Sequence, residues 1–210
     1  FIPNEEEMDK EAFNESLVNC SLRYRNFREC PSKIDNKHSI LETLFEYNYL
    51  NLAKLFMKEY EDNCSSFDMK RLIKSCANKN SFETVNFLLT KIGYKISSDY
   101  FSYCTKLTRL EIPTNITSFG LKSFSGCTSL IYIKIPSSVT EIVSESFEWC
   151  SSLKEIVIPS SVDSFGIDVF KKCTDLEQVI FDTPSQITRF RDKMFDGCES
   201  LKRVVLPSFF

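Results

Sequence analysis

Nine cysteines and a single histidine are the side chains whose chemistry first suggests a catalytic, redox or metal site. Thiolates and imidazoles bind zinc when they are clustered, commonly with two cysteines at C-x-x-C spacing. No two cysteines of this sequence have that spacing, and their odd number argues against a complete disulfide framework. We therefore expect no metal and no cofactor. The cysteines are Cys20, Cys30, Cys64, Cys76, Cys104, Cys127, Cys150, Cys173 and Cys198.

His38 is the one imidazole that could act as a general base. It directly precedes Ser39, a predicted helix cap, and no cysteine or acidic residue stands at triad spacing from it. The sequence also contains no recognisable nucleophile motif. We therefore assign no catalytic residue and expect a protein without enzymatic activity.

The composition is that of a folded chain with no obvious nucleic-acid or membrane partner. With 42% hydrophobic residues among 210, the chain can fill a core. A net charge of −3 gives no reason to expect nucleic acid, and no apolar run is long enough to span a bilayer. The first residue is Phe1, as in a fragment or processed chain. Four glycosylation sequons are compatible with secretion, although a chain rich in Asn and Ser also produces them by chance: Asn14, Asn19, Asn63 and Asn115.

An internal repeat organises the second half of the chain. Its unit of 23 residues is illustrated by LIYIKIPSSVTEIVSESFEWCSS, which begins at Leu130. The fourth unit carries a two-residue insertion around Pro184, and the fifth stops after its first segment. Residues 101–104 look like the end of a degenerate earlier unit. The units begin at Leu107, Leu130, Leu153, Leu176 and Leu201.

Each unit predicts a short strand followed by a turn. The opening L-x-x-[LIV]-x-[IL] segment is rich in β-branched residues, and a proline usually ends it because proline cannot donate to a β-ladder. A second apolar pair follows, and then a turn or short helix that carries a phenylalanine with a cysteine three residues later. These pairs are Phe124 with Cys127, Phe147 with Cys150, Phe170 with Cys173 and Phe195 with Cys198.

One unit cannot bury these apolar positions alone, whereas stacked units bury them as continuous columns. Because each cysteine recurs at the same place beside a core phenylalanine, we interpret Cys127, Cys150, Cys173 and Cys198 as buried, unpaired structural residues. The period and pattern are typical of leucine-rich repeats, whose adjacent strands form a parallel sheet.

The pattern L-x-x-I-x-I-P-S-S-V-T-x-I-x-x-x-x-F-x-x-C resembles the BspA-type class of leucine-rich repeats over roughly residues 96–210. That class occurs in surface proteins of bacteria and of protist parasites, and the resemblance implies adhesion to host proteins or other cells. The unit from Leu176 departs from the pattern, because Phe181-Asp182 replaces Ile-Pro and two residues are inserted. We expect a local change in that loop and no change of fold.

Residues 1–95 lack this period and are predicted to be helical. The segment Ser39-Ile-Leu-Glu42 fits a capping box that opens a helix. Helix pairs over 39–60 and 68–91 recur at about the 33-residue ankyrin length and resemble divergent ankyrin repeats, although they lack the T-P-L-H-x-A signature. A plain helical cap on the repeat stack is the alternative, because a terminal element must cover the exposed end of the core.

The variable strand positions form the best candidate site, since they point away from the core onto the expected concave surface. Ordinary β-propensity on a solvated sheet is the alternative explanation. Trp149, the only tryptophan, stands where other units have Gly or Lys, which indicates an exposed position. It is either a binding hot spot or an ordinary surface aromatic. The predicted partner-binding residues are Arg109, Glu111, Tyr132, Lys134, Glu155, Val157, Gln178, Ile180, Arg203 and Val205.

The sequence thus predicts an α+β chain in which an α-helical, ankyrin-like or capping domain (1–95) precedes a right-handed leucine-rich-repeat solenoid (96–210) with a parallel sheet on its concave face. The predicted function is a non-catalytic protein–protein interaction or adhesion module. The alternative is an intracellular ankyrin–leucine-rich-repeat scaffold. The family resemblance favours a surface antigen, whereas unpaired cysteines and an ankyrin-like half favour the cytoplasm, so the compartment stays open.

Overall fold

The computed structural model describes Leu44, Leu50, Ala53, Lys54 and Met57, and then residues 68–184, 187 and 190–206. The chain divides into two compact units, Phe1–Asp68 and Met69–Phe210. In the first unit, Leu44, Ala53 and Met57 are buried helical residues. The rest of the predicted 39–60 helix pair lies outside the described residues, as do His38 and the first three cysteines.

Two helices begin the second unit. Helix α1 (Met69–Asn78) buries Leu72, Ile73 and Cys76, and helix α2 (Phe82–Leu89) buries Val85 and Leu88. These positions follow the three- and four-residue spacing of an amphipathic helix, so the predicted helix pair over 68–91 is confirmed. Two helices do not distinguish an ankyrin repeat from a plain cap. The ankyrin resemblance and the domain boundary at residue 95 therefore stay predictions.

Short strands follow, all of them paired in parallel. The longer strands form the pair β2–β4 and the three-stranded sheet β6–β8–β9, and β4 lies beside β6. The shorter ones form the pairs β1–β3 and β5–β7. The strands are β1 (Lys95–Ile96), β2 (Arg109–Glu111), β3 (Ser118–Phe119), β4 (Tyr132–Lys134), β5 (Glu141–Ile142), β6 (Glu155–Ile158), β7 (Ser164–Phe165), β8 (Gln178–Phe181) and β9 (Arg203–Val205).

Each repeat therefore contributes one layer to a parallel β-solenoid, as predicted for a leucine-rich-repeat fold. Layers are also joined at their turns. The amide of Phe124 donates to Ser146 O at 2.9 Å, and the amide of Phe147 donates to Val169 O at 3.0 Å. Backbone groups at these turns are thus satisfied by the neighbouring layer, which allows the turns to be buried without losing hydrogen bonds.

The core phenylalanines stack in one column. Ring centroids are 5.3 Å apart between Phe124 and Phe147 and 5.6 Å apart between Phe147 and Phe170, with rings within 8° of parallel. All three side chains are fully buried. Phe101 extends the column at one end and Phe195 at the other. Aromatic pairs of this kind add to the free energy gained from burying their area.

The cysteines form a second column, in which each thiol donates to a backbone carbonyl of the preceding layer. Cys127 Sγ lies 3.1 Å from Phe101 O, Cys150 Sγ lies 3.2 Å from Phe124 O, and Cys173 Sγ lies 3.1 Å from Phe147 O. These three thiols are buried and free, as predicted, and burial raises their pKa far above the usual range.

The prediction that Cys198 is buried is wrong. This residue is half-buried, as is Phe195 in the same turn. Its thiol keeps the equivalent hydrogen bond, at 3.0 Å from Phe170 O. Burial is still sufficient to raise the pKa of Cys198 to about 11.

The irregular fourth repeat keeps its place in the stack. Phe181, which replaces the usual isoleucine, is buried and packs edge-on against Phe165 with 6.0 Å between ring centroids. Strand β8 stays in register with both β6 and β9. The insertion therefore leaves the pairing of β8 unchanged, and the Thr183–Pro184 peptide after this strand is cis.

Asparagine side chains attach the helices to the first layers. Asn80 Oδ1 accepts hydrogen bonds from the amide and the hydroxyl of Thr108, both at 2.9 Å, and Asn86 Oδ1 accepts from the Glu111 amide at 3.2 Å. Asn115 Nδ2 donates to Leu89 O at 3.1 Å. These hydrogen bonds give partners to backbone amides at one edge of β2 and to a backbone carbonyl at the end of α2, groups that strand edges and helix ends commonly leave without a backbone partner.

Truncation at two neighbouring positions tests this assignment of inside and outside. Phe147→Ala removes a fully buried, doubly stacked ring, and we expect it to lower the free energy of unfolding by about 3–5 kcal/mol. Trp149→Ala should cost much less, because that side chain is 51% exposed. Denaturant melts of the two variants provide the measurement. Equal losses at the two positions would contradict the assignment.

Candidate functional site

The predicted site residues lie on one face of the longer strands, which we call the strand face. Each of the ten is at least partly exposed. The residue that lies between the two on each strand is buried in β2, β4, β6 and β8 and half-buried in β9. Pairing aligns them in two columns within β2–β4 and within β6–β8–β9, because opposite residues of parallel strands point the same way, and β4 lies beside β6. One column contains Arg109, Tyr132, Glu155, Gln178 and Arg203, and the other contains Glu111, Lys134, Val157, Ile180 and Val205.

Three side chains at one end of the strand face interact with each other. The Arg109 guanidinium lies 4.5 Å from the centroid of the Tyr132 ring, a cation–π geometry. It also donates a hydrogen bond to Glu111 Oε1. This hydrogen bond is the main reason why the pKa of Glu111 lies below its ordinary value and that of Arg109 above it. The tyrosine ring therefore packs against a guanidinium that is itself hydrogen-bonded to Glu111.

Two cations of the strand face are available for a partner. Lys134 and Arg203 form no ion pair or side-chain hydrogen bond with any other residue that the structure describes. Between them, Gln178 Nε2 donates to Glu155 Oε2 at 2.9 Å across neighbouring strands. The strand face thus has one cation on each side of the hydrogen-bonded pair formed by Gln178 and Glu155.

An apolar strip runs across the last three strands of the sheet. Val157 is 39% exposed, and Ile180 and Val205 are half-buried beside it in register. None of these three is needed to fill the core, which Ile156 and Val179 occupy from the opposite side. The strip is available for apolar contact with a partner.

A groove of about 540 Å³ adjoins the strand face where α2 approaches the ends of β2 and β4. Glu111 and Lys134 line it together with Phe87, Pro113 and Pro136. The sequence pattern alone does not associate α2 with the candidate site. The pattern of the helix predicts which of its faces is buried but does not specify which strand that face packs against.

Other kinds of site receive no support from the described residues. Within residues 68–184, 187 and 190–206 and the few described before them, no three His, Cys, Asp or Glu side chains are placed to hold a metal ion. No helix in the same part of the chain is long and apolar enough to cross a membrane.

Stacked parallel layers with an outward column of variable residues define a leucine-rich-repeat protein. The family model for the BspA type leucine rich repeat region matches residues 94–210 in six copies. The chain therefore belongs to this family, as the repeat pattern predicted.

Solved structures support the same assignment. A leucine-rich-repeat protein of T. pallidum is 33% identical over 54% of this chain, with a TM-score of 0.50. A leucine-rich cell surface protein of Faecalibacterium prausnitzii A2-165 is 29% identical over 53% of this chain, with a TM-score of 0.51. The match spans 52% of the first protein and 29% of the second. A search of curated proteins found no match.

The Arg109–Glu111 contact makes a prediction about titration. Because a hydrogen bond from Arg109 is the main cause of the lowered pKa of Glu111, Arg109→Ala should raise that pKa toward its ordinary value. Carboxyl chemical shifts followed by NMR against pH give the measurement. Lys134→Ala is the matched control and should change the pKa less, since that lysine makes a smaller contribution. An unchanged Glu111 titration in Arg109→Ala would show that the contact is absent in solution.

Proposed function

We propose that this chain is a non-catalytic protein-binding module whose contact surface is the strand face. The leucine-rich-repeat fold is typical of protein-interaction modules. The observation that carries the proposal is that neighbouring strands present an aromatic cluster on β2 and β4, two cations without ion-pair partners among the described residues, and an apolar strip on β6, β8 and β9. Mixed aromatic, arginine and apolar composition characterises the centres of protein interfaces.

The charge of this surface favours an acidic partner segment. Its three cationic and two acidic side chains leave one net positive charge, on a chain whose net charge is −3. Arg109 is engaged with Glu111, so Lys134 and Arg203 are the side chains that would pair with the partner. Complementary charges of this kind increase association rates and specificity more than affinity.

Affinity would come from Tyr132 and the apolar strip. Stacking against Arg109 restricts the Tyr132 ring, so binding costs less side-chain entropy than it would for a free ring. Val157, Ile180 and Val205 would add desolvated contact alongside. An extended partner segment that runs across the strands would meet these features in order.

Two cellular locations are candidates for this binding, the cell surface and the cytoplasm. Adhesion at a cell surface, as a surface antigen, is favoured by family membership and by the F. prausnitzii relative, which is described as a cell surface protein. A cytoplasmic scaffold, in which an ankyrin-like helical region accompanies the repeats, is favoured by the buried free thiols. Localisation of the tagged full-length protein in its own cells distinguishes the two.

The proposal is tested by strand-face variants. Once a pull-down has identified a protein partner, Tyr132→Ala and Arg203→Ala should each weaken its binding by more than about 1 kcal/mol, because Tyr and Arg are enriched among hot spots. Fold stability should change little, since both side chains are exposed. Tyr94→Ala, at a tyrosine that is 70% exposed outside the strand face, is the matched control. If both variants bind like the parent while changes in α1 or α2 abolish binding, the helices are the recognition element instead.

A further inference from the structure

A second surface lies at the turns of the repeat, on a column that the strand face does not include. The amides of Tyr103, Gly126, Trp149 and Lys172 each donate to a carbonyl of the next layer, at 2.7–2.8 Å. The four residues are therefore equivalent positions on successive layers, and Gly197 continues the series. All five adopt the left-handed conformation, with φ between 59° and 73°. We call this set the turn column.

Three members of the turn column, Tyr103, Trp149 and Lys172, adopt a positive φ that is unfavourable for residues other than glycine. Bulky residues rarely adopt positive φ. Glycine has no such restriction, and it occupies this position in two of the five layers. Tyr103 and Trp149 nevertheless stand there with large exposed side chains, 72% and 51% accessible. Neither side chain has a polar partner within the described chain.

Each glycine of the turn column lies under the side chain of the turn-column residue in the preceding layer. A Cβ atom at Gly126 would lie 2.6 Å from Cδ1 of Tyr103, so the tyrosine ring lies directly over this glycine. A Cβ atom at Gly197 would lie 2.5 Å from Cδ of Lys172, so the lysine stem lies over that glycine in the same way. Along the solenoid, the turn column therefore presents the exposed side chains of Tyr103 and Trp149, followed by the cation of Lys172.

Hydroxyl groups line the same turns. Two residues after the turn column, beyond each buried cysteine, stand Thr105, Thr128, Ser151 and Thr174. The hydroxyls of Thr105 and Thr128 are exposed and have no hydrogen-bond partner within the described residues. They can both donate to and accept from a ligand.

We propose that the turn column binds an acidic oligosaccharide. The backbones of Tyr103 and Trp149 lie two layers apart, about 10 Å by parallel strand spacing, and the Tyr103 ring lies over Gly126 in the layer between them, so one oligosaccharide would reach both side chains. The apolar faces of sugar rings would lie against the two aromatic side chains, and the threonine hydroxyls would hydrogen-bond the sugar hydroxyls. A carboxylate on the sugar would pair with Lys172, which forms no ion pair with another described residue.

Charge and polarity favour this ligand over a protein segment. The two aromatic side chains belong to different layers and are bordered by threonine residues, so they offer two stacking surfaces with hydroxyl groups beside them. The cation at the end of the column supplies the preference for an acidic chain over a neutral one. The inference does not depend on the proposed function, since it concerns different residues.

The chain contains its own reporter for a test, because Trp149 is its only tryptophan. The protein would be titrated with a hyaluronan hexasaccharide, which carries carboxylates, and with chitohexaose, which is neutral, while the fluorescence of Trp149 is followed. We expect a saturable change with the hyaluronan probe and weaker binding of the neutral one. Tyr103→Ala and Lys172→Ala should each lower the affinity about three- to tenfold.

Matched controls separate this surface from the strand face. Tyr94→Ala removes an equally exposed tyrosine outside the turn column, and Tyr132→Ala removes one from the strand face; both should bind the hyaluronan probe like the parent. Three results would overturn the proposal: no saturable change with either saccharide, equal affinity for the acidic and neutral chains, or unchanged affinity in Tyr103→Ala. Loss of a protein partner in Tyr103→Ala, without saccharide binding, would assign the column to protein recognition instead.

Discussion

Stacking of each core phenylalanine on that of the next layer is the interaction on which the rest of this structure depends. The rings of Phe124, Phe147 and Phe170 lie nearly parallel and fully buried, and the amide of each donates to the following layer. Because these bonds permit only one register, they align every other position of the repeat as well. The strand face and the turn column are therefore consequences of the same stack, on two sides of it.

The two ends of the described stack are covered differently. At one end, amide side chains of Asn80 and Asn86 bond the edge of the first long strand. At the other, Phe195, Cys198 and Leu201 are half-buried where their counterparts in earlier layers are fully buried. In a solenoid each layer is stabilised mainly by what it buries against its neighbours, so the layer of these half-buried residues should be the least stable.

Periodic features were predictable from the sequence, and specific pairings were not. The repeat alone indicated which leucines, phenylalanines and cysteines are buried and that Trp149 is exposed, because equivalent positions in a stack share their environment. Cys198 departs from this rule, because it is only half-buried although its position in the repeat is equivalent. Two contacts depend instead on side-chain rotamers and on three-dimensional proximity: Arg109 with Tyr132, and the packing of the Tyr103 ring over Gly126. The contacts of Asn115 with α2 link elements whose relative placement no periodicity encodes.

Amide hydrogen exchange measured by NMR tests most directly whether the stack stabilises this unit. The account predicts that the amides of Phe124, Phe147 and Phe170, which bond across layers, exchange slowest, with protection close to that of global unfolding. The amides of Cys198 and Leu201 should exchange faster, because these residues are only half-buried. Rapid exchange at Phe147 and Phe170, while the amides of α1 and α2 stay protected, would show that the helices hold the unit together and the stack does not.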